Sequence, residues 1–165
     1  MSEDTTVKPV PQIMVDAAYG HTMLSAHALE LKLTTLLVLR LDAVDISERQ
    51  LEAKTAQIKR LPLGPLIKRF IAEYRVEDEL CEELDNMLYF RNELAHRISD
   101  SVLGEALDPG LRYRLVTELL EIQSYFQEKS AMLKPYVDEW LHANGLTRQK
   151  LVSIGMTVYK GLESG

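Results

Sequence analysis

The run Tyr89-Phe90-Arg91-Asn92-Glu93-Leu94-Ala95-His96-Arg97-Ile98 gathers more groups suited to chemistry than any other stretch of the chain. An arginine offers a planar fork of donors to the oxygens of a phosphate or a carboxylate. A histidine exchanges protons near neutral pH. An asparagine side chain can hold either of them by hydrogen bonding. Arg91, Asn92 and His96 supply one of each. Such a set suits proton transfer at a phosphodiester. A metal is not obligatory for such chemistry, and no cofactor is expected. The same residues also suit a salt-bridged helix end.

The element that positions them is a helix. Glu77, Asp78, Glu79, Glu82 and Glu83 give the acidic first turns that a helix dipole favours. At 100° per residue, Leu80, Leu84, Met87 or Leu88, Arg91, Leu94 or Ala95, and Ile98 form one continuous stripe. Arg91 therefore stands where the pattern asks for an apolar side chain. A guanidinium cannot be neutralised, and burying it unpaired is costly. It must pair with an acid such as Asp85 or Glu30, lie at an interface, or face an anion. Asn92 and His96 are four residues apart, on one face and within hydrogen-bond reach. His96 also suits a plain helix end, where cations are favoured. Arg91 and His96 are five apart, about 140° around an ideal helix. They converge only if the helix distorts near its end, or if two copies of the helix meet across a dimer axis.

The other elements are helical too. From about Ile13 to Leu41, Ala17, Leu24, Ala28, Leu31 and Thr35 lie along one stripe, joined by Leu36, Leu39, Ala26 and Ala18. Leu36-Leu37-Val38-Leu39 makes both faces apolar, which predicts a central, well-buried helix, with Gly20 as a point of kinking or interruption. Ser47 and Gln50 fit a capping box for a helix over Glu48 to Arg60. Leu61-Pro62-Leu63-Gly64-Pro65 breaks it and opens another, to about Tyr74. Ser99 to Gly110 reads as a loop. A long helix from Leu111 to Ala143 carries the stripe Leu115, Leu119, Ile122, Phe126, Met132 or Leu133, Val137, and Trp140 or Leu141. Pro135 should kink or split it. Asn144-Gly145 stops it, and Thr147 caps a last helix over Arg148 to Leu162. The fold class expected is all-α: an up-down bundle of about four main helices with short accessory ones. Residues 1–12 form a flexible arm, 13–145 the bundle, and 146–165 a C-terminal helix and tail.

Composition narrows the function classes. With 46% apolar residues in 165, the chain can bury a real core. One cysteine, Cys81, excludes an intrachain disulfide framework and a Cys-rich zinc site. His21 and His27 are about two turns apart with no carboxylate to complete a set, so no metal site is expected. No signal peptide is read near the start, and charges break Leu24 to Leu41, so no membrane partner and a cytoplasmic location are expected. The net charge of −6 disfavours a general grip on nucleic acid. Lys59-Arg60 and Lys68-Arg69 read as solvated faces, and are the best local candidates for guiding RNA if the acidic net charge is offset there. Tyr136, Val137 and Trp140 belong to a core or a dimer contact.

The run Arg91-Asn92-x-x-x-His96 resembles the signature of the HEPN superfamily: an Arg, four to six residues, then a His, with a polar residue often following the Arg. Ala26-His27-Ala28-Leu29-Glu30 on an early helix, the Leu63-Gly64-Pro65-Leu66-Ile67 turn and the long helix after the motif fit as well. The likeness covers about Tyr19 to Phe126. It implies a HEPN-like homodimer whose two motifs face one another across a cleft. Many members are metal-independent endoribonucleases, including toxins and defence proteins; others are scaffolds or bind nucleotides. Carried over, His96 would be general base or acid at the 2′-hydroxyl and leaving oxygen, Arg91 would hold the phosphate, and Asn92 would orient one of them. A toxin–antitoxin or defence setting would bring a neutralising or regulatory protein partner. Ile98 departs from the pattern, since several catalytic members carry a Tyr there. The rival expectation is a non-catalytic dimeric interaction module or regulator.

Overall fold

The computed structural model describes residues 10–40, 48–98, 108–143 and 145. The expected arm over most of 1–12, the Ser47 cap, most of the Ser99–Gly110 loop and the last helix lie outside them. Six helices are described: α1 (Gln12–Arg40), α2 (Glu48–Lys59), α3 (Leu63–Tyr74), α4 (Asp78–Glu93), α5 (Pro109–Lys129) and α6 (Lys134–Ala143). A π-helical turn, Leu94–Ile98, extends α4, and a 3-10 turn, Ser130–Leu133, joins α5 to α6. The protein is an all-α helical bundle, with no strand among the described residues. No described helix is long and apolar enough to cross a membrane.

Side-chain bonds fix how the helices run. α1 and α5 run parallel: Arg112 reaches the Val10 carbonyl, Thr22 that of Leu119, and Lys32 the Ser130 hydroxyl. α4 is antiparallel to α1, with Tyr19 against Leu94 and Glu30 against Arg91. It is antiparallel to α5 too, with Glu83 near Lys129 and Phe90 near Tyr125. One core joins them, built around Leu29, Leu33, Phe70, Leu84, Met87, Leu119 and Phe126.

Local chemistry accounts for the breaks. Pro135 falls at the second residue of α6. Inside a continuous helix its ring would strike the carbonyl four residues earlier, and the 3-10 turn stands there instead. The long helix expected over Leu111 to Ala143 is thus two. Pro109 opens α5, where a missing N–H costs nothing. α3 ends on Arg75 at φ 49°, a left-handed position that usually falls to glycine.

The first helix differs from expectation in one respect. α1 runs unbroken through Gly20 and is central, and Ala18, Ala26 and Leu36 of the expected stripe do face the core, yet Ala17, Leu24, Ala28, Leu31 and Thr35 are turned the other way. Val15, Ala18, Thr22, Ala26, Leu29, Leu33, Leu36 and Leu37 face the core, while Ala17, Ala28 and Thr35 are exposed. Leu24 is 64% exposed and Leu31 55%. Periodicity finds apolar faces but does not say which one the bundle uses. Thr22 makes the inward face look polar in sequence. In the fold its hydroxyl sits between the carbonyls of Ala18 and Leu119, at 2.8 and 3.0 Å.

Candidate functional site

Arg91 sits on the α4 stripe whose other members, Leu80, Leu84, Met87 and Leu94, are buried. Its side chain is held at the edge of the core, 34% exposed, by Glu30 of α1: Nε lies 3.4 Å from Oε1. The other carboxylate oxygen of Glu30 lies 3.4 Å from Nδ1 of His27. One carboxylate thus spans an arginine and a histidine from two helices. The contact to Arg91 runs through Nε. Glu30 on Nδ1 would leave Nε2 of His27 as the working nitrogen. The three residues line an open groove of about 340 Å³ with Gly20, Met23, Leu24 and Ala26.

Asn92 and His96 are both exposed at the same end of α4. The histidine lies in the π-helical turn, where the ladder bonds i to i+5 and each residue advances less around the axis than in an α-helix. The 140° that separates Arg91 from His96 on an ideal helix is therefore reduced. The Leu94 carbonyl, at the start of this turn, accepts the hydroxyl of Tyr19 at 3.2 Å, which ties the distortion to α1. Of the two routes to convergence, helix distortion is present in a single chain. The structure joins Arg91 to α1 and leaves Asn92 and His96 on the outside of the helix end.

A second polar cluster anchors the motif from behind. Glu83 of α4 accepts a hydrogen bond from the Tyr125 hydroxyl and one from Lys129 Nζ at 2.8 Å, both on α5. Those donors hold the Glu83 carboxyl below its ordinary range, Lys129 first and Tyr125 next. Burial, and then the bond to Glu83, push Tyr125 up to about 12. Phe90 stacks edge-on against the Tyr125 ring, 5.2 Å between centroids, so the residue before Arg91 is fixed by the same cluster. Nothing in the sequence flags this set, because its members lie 42 and 46 residues apart on different helices.

Other candidates resolve as structure. Cys81 is half-buried, its thiol near the Val76 carbonyl; burial, with Asp78 and Asp85, pushes the thiol up and away from reactivity. Tyr136 packs with Phe70 and Tyr74. Lys59, Arg60 and Lys68 are exposed, while Arg69 pairs with Glu73 at 2.7 Å. Among the described residues no group of three His, Cys, Asp or Glu could hold a metal. Sequence reasoning nevertheless missed the role of His27. A carboxylate does lie beside it, three residues on, and the third member of the set is an arginine, not a metal ligand. The chain matches no protein-family model, no curated protein and no solved structure.

Proposed function

We propose that the protein is a HEPN-like, metal-independent endoribonuclease that works as a homodimer, in a toxin–antitoxin or defence setting with a neutralising protein partner. One observation carries the reading. A half-exposed arginine opens onto a groove with a carboxylate-bound histidine, and a second histidine stands exposed on a π turn five residues on. In this reading Arg91 grips the phosphate, Asn92 orients it, and His96 removes the 2′-hydroxyl proton. The 2′ oxygen attacks the adjacent phosphorus and forms a 2′,3′-cyclic phosphate. The bond to the 5′ oxygen breaks, and a second imidazole supplies that oxygen with a proton. The second imidazole is the partner's His96, with His27 as the alternative within the chain.

A second reading has its own support. Glu30 already neutralises Arg91, and the net charge of −6 repels RNA. Both suit a dimeric interaction module in which the ion pair only joins α1 to α4. Expression of the wild type and of His96→Ala separates the two. The nuclease reading expects growth arrest and fragmented cellular RNA with the wild type, and neither with the variant. Equal growth and intact RNA in both would favour the interaction module.

A further inference from the structure

α1 carries two apolar faces, and the described bundle covers one. The other centres on Leu24. At 100° per residue, Gly20 and Ala28, Ala17 and Leu31, and Ile13 and Thr35 all fall within about 40° of the line through it. All seven are exposed, Ile13 to 74%. We propose that a second copy of the chain docks here, α1 against α1, antiparallel about a two-fold axis at Leu24.

The face is self-complementary in that register. In an antiparallel pair, residues equally distant from the centre meet. Gly20 meets the partner's Ala28, which lets the backbones approach closely. Leu31 meets the partner's Ala17, large against small, and Ile13 meets the partner's Thr35. A two-fold contact requires such matching of a surface with itself. Gly20 supplies a separate argument. Glycine weakens a helix interior relative to alanine. A Cβ built at Gly20 would meet nothing within 4 Å inside the protomer, so packing within the chain does not require its absence. A closely approaching partner helix would.

Charge and size agree. No Asp, Glu, Lys or Arg stands on the centre line, and Asp16 and Lys32 lie about 80° to either side, as an interface core with a polar rim requires. On the flank towards α5, a groove of about 350 Å³ beside Leu24 can receive a partner side chain. From Ile13 to Thr35 the face is about 33 Å long. The two copies of His27, three residues from the axis and on the flank towards α4, would then lie about 9 Å apart along the helices, on one side of the dimer. The docking face stands apart from the proposed reading and holds whether or not the protein cleaves RNA.

Sedimentation velocity of the full chain at micromolar concentration should show a dimer. Leu24→Glu and Gly20→Leu should each give a monomer with unchanged helical circular dichroism. In a Cys81→Ser background, Leu24→Cys should link to its own copy through a short bis-maleimide at least tenfold faster than Lys68→Cys. A wild type that stays monomeric, leaving the face to another occupant, overturns the proposal. So does a dimer that survives both substitutions.

Discussion

Arg91 is the residue on which the account turns. The sequence alone shows that it interrupts an apolar stripe and so must pair with an acid, lie at an interface or face an anion. Of Asp85 and Glu30, the two acids expected as structural partners, Glu30 is the one that pairs with it. His27 was not legible, because its role depends on which side of α1 turns towards α4. The pair is partly exposed, so it contributes on the order of 1 kcal/mol or less. Glu30→Gln should lower the unfolding free energy by no more than that in urea denaturation. Arg91→Lys tests the other role. It keeps the charge beside Glu30 but loses the fork. If Arg91 serves phosphate, this variant should keep its thermal stability within a few degrees while RNA cleavage falls at least tenfold. Cleavage at the wild-type rate would reduce Arg91 to a structural cation.

The helices show where periodicity suffices and where it does not. The buried stripes of α4 and α5 were readable because each of these helices has one apolar face. α1 has two, and the outward one matched the helical period as well as the inward one. The π turn could not be read, since it reflects bonding such as that of Tyr19 to the Leu94 carbonyl. The Glu83–Tyr125–Lys129 cluster, equally invisible in one dimension, makes a pH prediction. Glu83 has a lowered pKa, so its contribution is present above the ordinary carboxyl value of 4.5 and is lost as pH falls through the lower folded value. Tyr125 has a raised one, so its contribution is full below 10 and is lost as pH rises towards about 12. Melting temperatures followed against pH should fall at both ends, and Tyr125→Phe should lessen the alkaline fall without abolishing it, since Lys129 and Tyr136 are raised as well. At the C-terminal end of α3, Arg75→Gly should relieve left-handed strain and raise stability by about 0.5–1 kcal/mol in denaturant melts.

At the scale of the molecule, the all-α bundle follows from length, apolar content and helical spacing, and the structure bears it out. The site was only partly legible. Its three motif residues come from one helix and could be picked out by type, whereas Glu30, His27 and Tyr19 come from α1 and depend on packing. The acidic net charge sets the condition under which RNA chemistry should be sought, since weak electrostatic attraction makes binding sensitive to salt. Purified wild type and His96→Ala should be compared on a short end-labelled RNA, at low ionic strength with excess EDTA. The account predicts fragments ending in a 2′,3′-cyclic phosphate from the wild type, and a loss of about 100-fold or more in the variant. Intact RNA from a dimeric wild type, or equal cleavage by His96→Ala, would contradict it.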